Sequence, residues 1–252
     1  MTEHEKLLEN LEYLKMKEMG LHLDETIDFI NKNNLSFTEG LIKLTNYEID
    51  HKEASLIKAM VKVGAFPHQK ELKDFDFTFQ ESINKDEILE FTSHRFIHQN
   101  ENIVFIGSSG VGKTHLSTAI GISAAKKRIS TYFIKCNDLI TQLKKAKLEN
   151  RLEDRLRHFT KYKLLIIDEL GYLPIEKEDS KLFFQLIDRR YEKRSTIMTT
   201  NINFSSWDNV FMDPVIANAI LDRVLHHAHV VQITGKSYRL KNYYQEEESV
   251  HN

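Results

Sequence analysis

Gly107, Ser108, Ser109, Gly110, Val111, Gly112, Lys113 and Thr114 follow one another at the spacing G-x-x-x-x-G-K-[ST]. Residue types in this order can hold a triphosphate. The glycines let the backbone turn and bring its N–H groups against phosphate oxygens. Lys113 is expected to reach the β- and γ-phosphates, and the Thr114 hydroxyl to ligate Mg²⁺. Further along, Leu164-Leu-Ile-Ile-Asp-Glu169 is an apolar run closed by two acids. Asp168 is the expected holder of Mg²⁺, through water. Glu169, one residue on, is the expected base that orients and deprotonates an attacking water. A third polar end, Thr199-Thr-Asn201, would set the Asn201 amide near the γ-phosphate, although asparagine also suits an ordinary turn. Arg223 lies near the end of an apolar-periodic helix, Ala217-Asn-Ala-Ile-Leu-Asp-Arg223. An arginine there can neutralise charge on a neighbouring subunit's γ-phosphate, or simply pair with Asp222 or stand solvated. Arg239 is a second candidate phosphate contact, with a solvated arginine as the alternative.

These groups need strands that end together. The pattern from residue 102 onward alternates strand and helix, with strands expected at Ile103–Ile106, Thr131–Lys135, Leu164–Asp168, Thr196–Thr200 and Val230–Ile233. Such alternation predicts an α/β fold with a five-stranded parallel sheet covered by helices on both faces. Brief apolar runs such as Leu164–Ile167 suit strands buried on both sides. Upstream, Phe75, Phe77 and Phe79 alternate with polar residues as in a short extended segment, and Asp86–Gln99 reads as one amphipathic helix. The start of the chain reads as helical, with Leu7, Leu8, Leu11, Leu14 and Met19 on one stripe. Helices are expected at Thr26–Asn31, Thr38–Asn46 and Asp50–Val63, the last burying Ala54, Ile57, Met60 and Val61. Ser36 and Glu39 have capping-box spacing. Gly64 and Pro67 end the helical run. Residues 1–65 therefore read as a small all-helical domain, 66–76 as a linker and 77–252 as the nucleotide-binding domain. Glu246–Glu248 reads as a solvated end.

Charge and cysteine content narrow the setting. A net charge of −2 means that any nucleic-acid surface must be local. The single cysteine, Cys136, leaves no intrachain disulfide and fits a reducing, cytoplasmic setting. No window suits a membrane span, and the acidic start does not look like a signal peptide.

Taken together, Gly107–Thr114, Leu164–Glu169, Thr199–Asn201, Leu221-Asp-Arg223 and Gly235-Lys-Ser-Tyr-Arg239 resemble the IstB-type transposition helper ATPases. These are AAA+ proteins close to the DnaC helicase loaders. Ala65-Phe-Pro67, Phe75-Asp-Phe77 and Trp207 match as well, so the resemblance covers nearly the whole chain. It implies an AAA+ sheet order, an Mg²⁺-dependent ATPase and Arg223 acting in trans as an arginine finger. It also implies an ATP-dependent homo-oligomer on duplex DNA, with little sequence preference, and recruitment of a partner transposase. The N-terminal helices are similar to the family's adaptor domain. Few residues follow the fifth strand, so the usual helical lid is expected to be absent or reduced, which leaves the role of Arg239 open.

DNA contact needs cations that neutralise phosphates. Lys144, Lys145, Lys147, Arg151, Arg155 and Arg157 form the densest basic run, which an ordinary charged helix face would also explain. Nothing in the chain resembles a base-reading motif, so backbone contact is the expectation. His226, His227 and His229 lack a fourth ligand and do not predict a zinc site. Two other functions share the nucleotide motifs. One is a DnaC-like helicase loader. The other is a small-molecule kinase, which Glu169 directly after Asp168 disfavours because that acid suits water activation.

Overall fold

The computed structural model describes residues 1–241 and divides the chain into two compact units, Met1–Ala59 and Met60–Asn252. The sequence places its boundary at residue 65; the division found here falls inside a helix.

The first unit is built from α1 (Glu3–Tyr13), α2 (Lys17–Leu21), α3 (Leu23–Asn33) and the start of α4 (Phe37–Val63). Its core is small: Leu11, Met19, Leu23 and Leu44, with Leu8 and Met16 packed against them. Leu7 and Leu14, expected on the buried stripe, are exposed. The capping box at Ser36 is present, with Ser36 N–H donating to Glu39 at 2.8 Å and Glu39 N–H to Ser36 Oγ at 3.3 Å. The two helices expected at Thr38–Asn46 and Asp50–Val63 are one. No glycine or proline separates them, and Glu48 between them is buried, accepting the Glu18 and Met19 N–H groups that open α2. Its carboxylate satisfies donors that a helix start leaves unpaired. Ala54 is exposed, and Ile57, Met60 and Val61 are only half-buried, contrary to the expected apolar side.

The second unit opens on a 3₁₀ turn at Leu72–Asp74, α5 (Lys85–Phe91) and α6 (Arg95–His98). There Phe75 and Phe77 pack on the core without forming a strand. The single helix expected over Asp86–Gln99 is broken by His94, which is buried and in the left-handed region at φ 63°. The break brings Phe91 and Phe96 edge to face. Strand and helix then alternate through β1 (Asn102–Gly107), α7 (Lys113–Lys126), β2 (Thr131–Lys135), α8 (Cys136–Leu148), α9 (Leu152–Thr160), β3 (Leu164–Leu170) and α10 (Lys177–Arg190). They continue as β4 (Ser195–Thr200), α11 (Trp207–Phe211), α12 (Pro214–Leu225) and β5 (Ala228–Ile233). After β5 comes a 3₁₀ turn, Tyr238–Leu240, and Lys241 is helical where the described residues end, so the expectation of an absent or reduced lid falls on residues outside them. Glu246–Glu248 lie outside the described residues.

The sheet is parallel throughout, in the order β2-β3-β4-β1-β5. Alternation along the strands sends Val104, Leu165, Ile167 and Met198 to one core, and Ile103, Phe105, Ile166 and Ile197 to the other. Both faces are therefore dry, as the unbroken apolar runs require. Because β4 lies between β1 and β3, the phosphate loop, the Thr199–Asn201 corner and the Asp168–Glu169 pair emerge side by side at one end of the sheet.

At the opposite end of β4, Arg190 is fully buried and bound by oxygen alone. It donates to the carbonyls of Phe159, Tyr162 and Ser195 and to Thr196 Oγ1. Burial pulls its proton affinity down to about 9. Replacing it with alanine strands these acceptors and leaves a cavity. Arg190→Ala should lose about 3–5 kcal/mol of stability, a cost typical of stripping one partner from a buried charged network. Thermal or denaturant unfolding monitored by circular dichroism checks this.

Candidate functional site

Local geometry at the loop follows from its glycines. Gly110 and Gly112 sit at φ 82° and 104°, where a side chain is strained. A Cβ on Gly110 would stand 2.0 Å from Ser237 Oγ, and one on Gly112 would stand 2.5 Å from the Phe75 ring. The loop is thus pressed between the segment after β5 and the segment before α5. That first segment is tied down by Tyr238 N–H to Gly110 O at 2.9 Å, by Gln80 Nε2 to Lys236 O at 2.9 Å and by Lys241 to Asp76 at 2.7 Å.

Beside the loop lies a cleft of about 370 Å³. Ser109, Gly110, Val111, Gly112, Lys113, Thr114, Glu169, Asn201 and Arg239, all singled out from sequence, line it. Gly107 and Ser108 do not line it. Their carbonyls receive the Lys113 ammonium, each at 2.7 Å. Burial lowers the proton affinity of that amine, while Asp168 opposes the effect.

Asp168 sits behind Thr114 and is wholly buried. Thr114 Oγ1 is 3.0 Å from both of its oxygens. Thr199 Oγ1 donates to Oδ1 at 2.5 Å. Burial raises the Asp168 pKa, and the two hydroxyls only partly offset that. A buried carboxylate whose direct partners are hydroxyls is an oxygen donor set that fits a hard divalent cation.

Glu169 is shaped by the backbone. The β3–β4 register shifts between Ile167 and Leu170, and Glu169 takes φ 63° within that bulge. Bulges re-aim side chains beside active sites, and a left-handed glutamate is a strained one. The conformation is held by Glu169 N–H donating to Thr199 Oγ1 at 2.9 Å. Its carboxylate pairs with Lys135 Nζ at 2.9 Å, a bond that raises the lysine's pKa. Sequence reasoning missed both Lys135, from the end of β2, and the bridging role of Thr199. The β2 end offers no motif, and only the strand order brings it beside β3.

Arg223 is not in the cleft. Its Nε donates to Asp188 at 2.7 Å rather than pairing with Asp222. Of the basic run, Lys144 pairs with Asp179 at 2.9 Å, Arg151 with Glu149, and Arg157 with Asp154 at 2.9 Å. Arg155 lies near the Phe159 ring, and Lys145 and Lys147 belong to the last turn of α8. Of the three histidines, His226 and His227 gather with Glu192 in an exposed trio, and the group ends at three among the described residues. His229 instead meets Glu101 at 3.0 Å. No helix among the described residues is long and apolar enough to cross a membrane. Cys136 is buried, and burial pushes its thiol up to about 12.

Comparison with known proteins gives consistent matches. A family model described as IstB-like ATP binding protein matches residues 9–246. A protein described as ATP-binding, from insertion sequence IS232 of Bacillus thuringiensis subsp. berliner, is 68% identical over 244 residues, covering 97% of this chain and 98% of that one. Among solved structures, DnaI aligns at a TM-score of 0.55 and 23% identity, over 70% of this chain and 94% of that one. The DnaC helicase loader aligns at 0.51 and 23%, over 70% and 99%. At that identity the likeness carries the fold alone, the five-stranded parallel sheet covered by helices.

Proposed function

The chain belongs to the IstB-like ATP-binding proteins of insertion sequences, and from that premise we propose that it hydrolyses ATP to control its own assembly on target DNA. The assembly engages a transposase. The observation that carries the reading is the hydrogen-bonded set of Thr114, Asp168, Thr199 and Glu169 beside a glycine-rich cleft. A close relative from an insertion sequence supports the transposition role over the helicase-loader alternative.

The chemistry follows from the residues. Loop N–H groups and the start of α7 receive phosphate oxygens. Lys113 moves from the loop carbonyls to the phosphates and neutralises charge as it develops. Thr114 and Asp168 would hold Mg²⁺, which would supply positive charge to the phosphate oxygens. Glu169 accepts the proton of the attacking water on its carboxylate, and Asn201 orients that water. Arg223 reaches the cleft of the adjoining subunit, because in a head-to-tail assembly one subunit's edge completes the next one's site. Lys144, Lys145, Lys147, Arg151, Arg155 and Arg157 are the proposed contacts to duplex DNA. The cations already paired with acids there exchange partners upon binding.

The test is electron microscopy of the protein with duplex DNA and a slowly hydrolysed ATP analogue. Ordered assemblies are expected only when both are present. A protein that remains a single subunit with both ligands at saturation overturns the reading.

A further inference from the structure

Arg223 rests in a cradle made by α10 and the residue that follows it. Its guanidinium carbon lies 4.7 Å from the Phe184 ring centroid and 5.9 Å from that of Tyr191. Nε donates to Asp188 Oδ1 at 2.7 Å, and Nη1 donates to Ala219 O one turn back at 3.1 Å. Tyr191 is fixed in turn by its hydroxyl, 2.6 Å from His226 Nδ1. Guanidinium has five N–H donors in one plane. Two are used here, and the three left over belong to the Nη1 and Nη2 end. That end is the fork that grips a phosphate with two parallel bonds. The Arg223 side chain is 27% exposed, so the fork remains within reach of a neighbour.

We propose that Asp188 is a positioning residue that holds Arg223 by Nε and aims its fork outward at the γ-phosphate of an adjoining subunit. The inference rests on the reading above that Arg223 acts in trans. A free arginine spreads over many rotamers, and docking one costs entropy at each encounter. Asp188 and the Phe184 face remove that cost beforehand. Asp188 also offsets part of the arginine's charge, an effect of opposite sign on catalysis, and the two effects separate by substitution. Asp188→Asn keeps the acceptor and drops the charge. Asp188→Ala drops both. Because the carboxylate is half exposed, with 51% of its side chain in solvent, the pair adds little to folding.

ATP hydrolysis is measured at saturating ATP and duplex DNA for D188A, D188N, R223A and D188A/R223A, with ATP affinity and melting temperature for each. The expected result is about a tenfold fall in kcat for D188A with unchanged ATP affinity and melting, and recovery of most of that loss in D188N. The double variant should be no slower than R223A, the non-additivity that marks residues acting through one another. A D188A protein that turns over at the wild-type rate or faster, while R223A is slow, overturns the positioning role and leaves the trans reading standing. A D188A protein that melts early marks Asp188 as a fold residue and also overturns it. Wild-type turnover in R223A removes the trans reading, and the positioning role with it.

Discussion

Glu169→Gln should bind ATP as wild type does and hydrolyse it at least about a hundredfold more slowly, the range set by loss of a positioned general base. Glutamine is nearly isosteric with glutamate. The strained backbone at residue 169 rests on its own N–H to Thr199, which the substitution leaves alone. What goes is the carboxylate that takes the water's proton, together with its ion pair to Lys135. ATP binding needs neither. The variant should therefore stay loaded, and its assemblies on duplex DNA should outlast those of wild type. Filter binding, steady-state phosphate release and the lifetime of DNA-bound assemblies report the three quantities. Normal phosphate release would remove Glu169 from the role of base.

Arg223→Ala should cost about a thousandfold in turnover, the lower end of what an arginine supplied by a neighbour contributes in phosphoryl transfer. It should still bind ATP, since Arg223 lies outside the cleft of its own subunit. The decisive measurement is mixing. Arg223→Ala subunits keep Glu169, and Glu169→Gln subunits keep Arg223. Each alone is nearly inactive. In a head-to-tail assembly drawn at random from equal amounts, roughly a quarter of interfaces join an intact Glu169 to an intact Arg223. Activity should return in the mixture to about that share. A mixture as slow as its parts would refute action across the interface.

Much of this site is legible in the chain because the relevant residues are neighbours in sequence. Gly107–Thr114 and Leu164–Glu169 each carry strand, turn and functional group in one stretch, so periodicity and spacing suffice. Order in the sheet is what no local pattern contains. Lys135 meets Glu169 because β2 pairs with β3, and Thr199 reaches both acids because β4 lies beside β3. Asp188 and Arg223 meet across two helices with no sequence signal to join them. The two misread helical stretches have a related cause. Glu48 falls in the gap between the two expected helices yet satisfies buried donors, and His94 falls inside one expected helix yet turns the chain. In both, partners distant in sequence decide what a residue's own preference does not.

Thr199 gives its one hydroxyl proton to Asp168 and receives the amide of Glu169 on the same oxygen. The two acids are consequently yoked to a single pivot. The pivot holds the Asp168 carboxylate and the Glu169 backbone, so a shift of the Thr199 side chain bears on both at once.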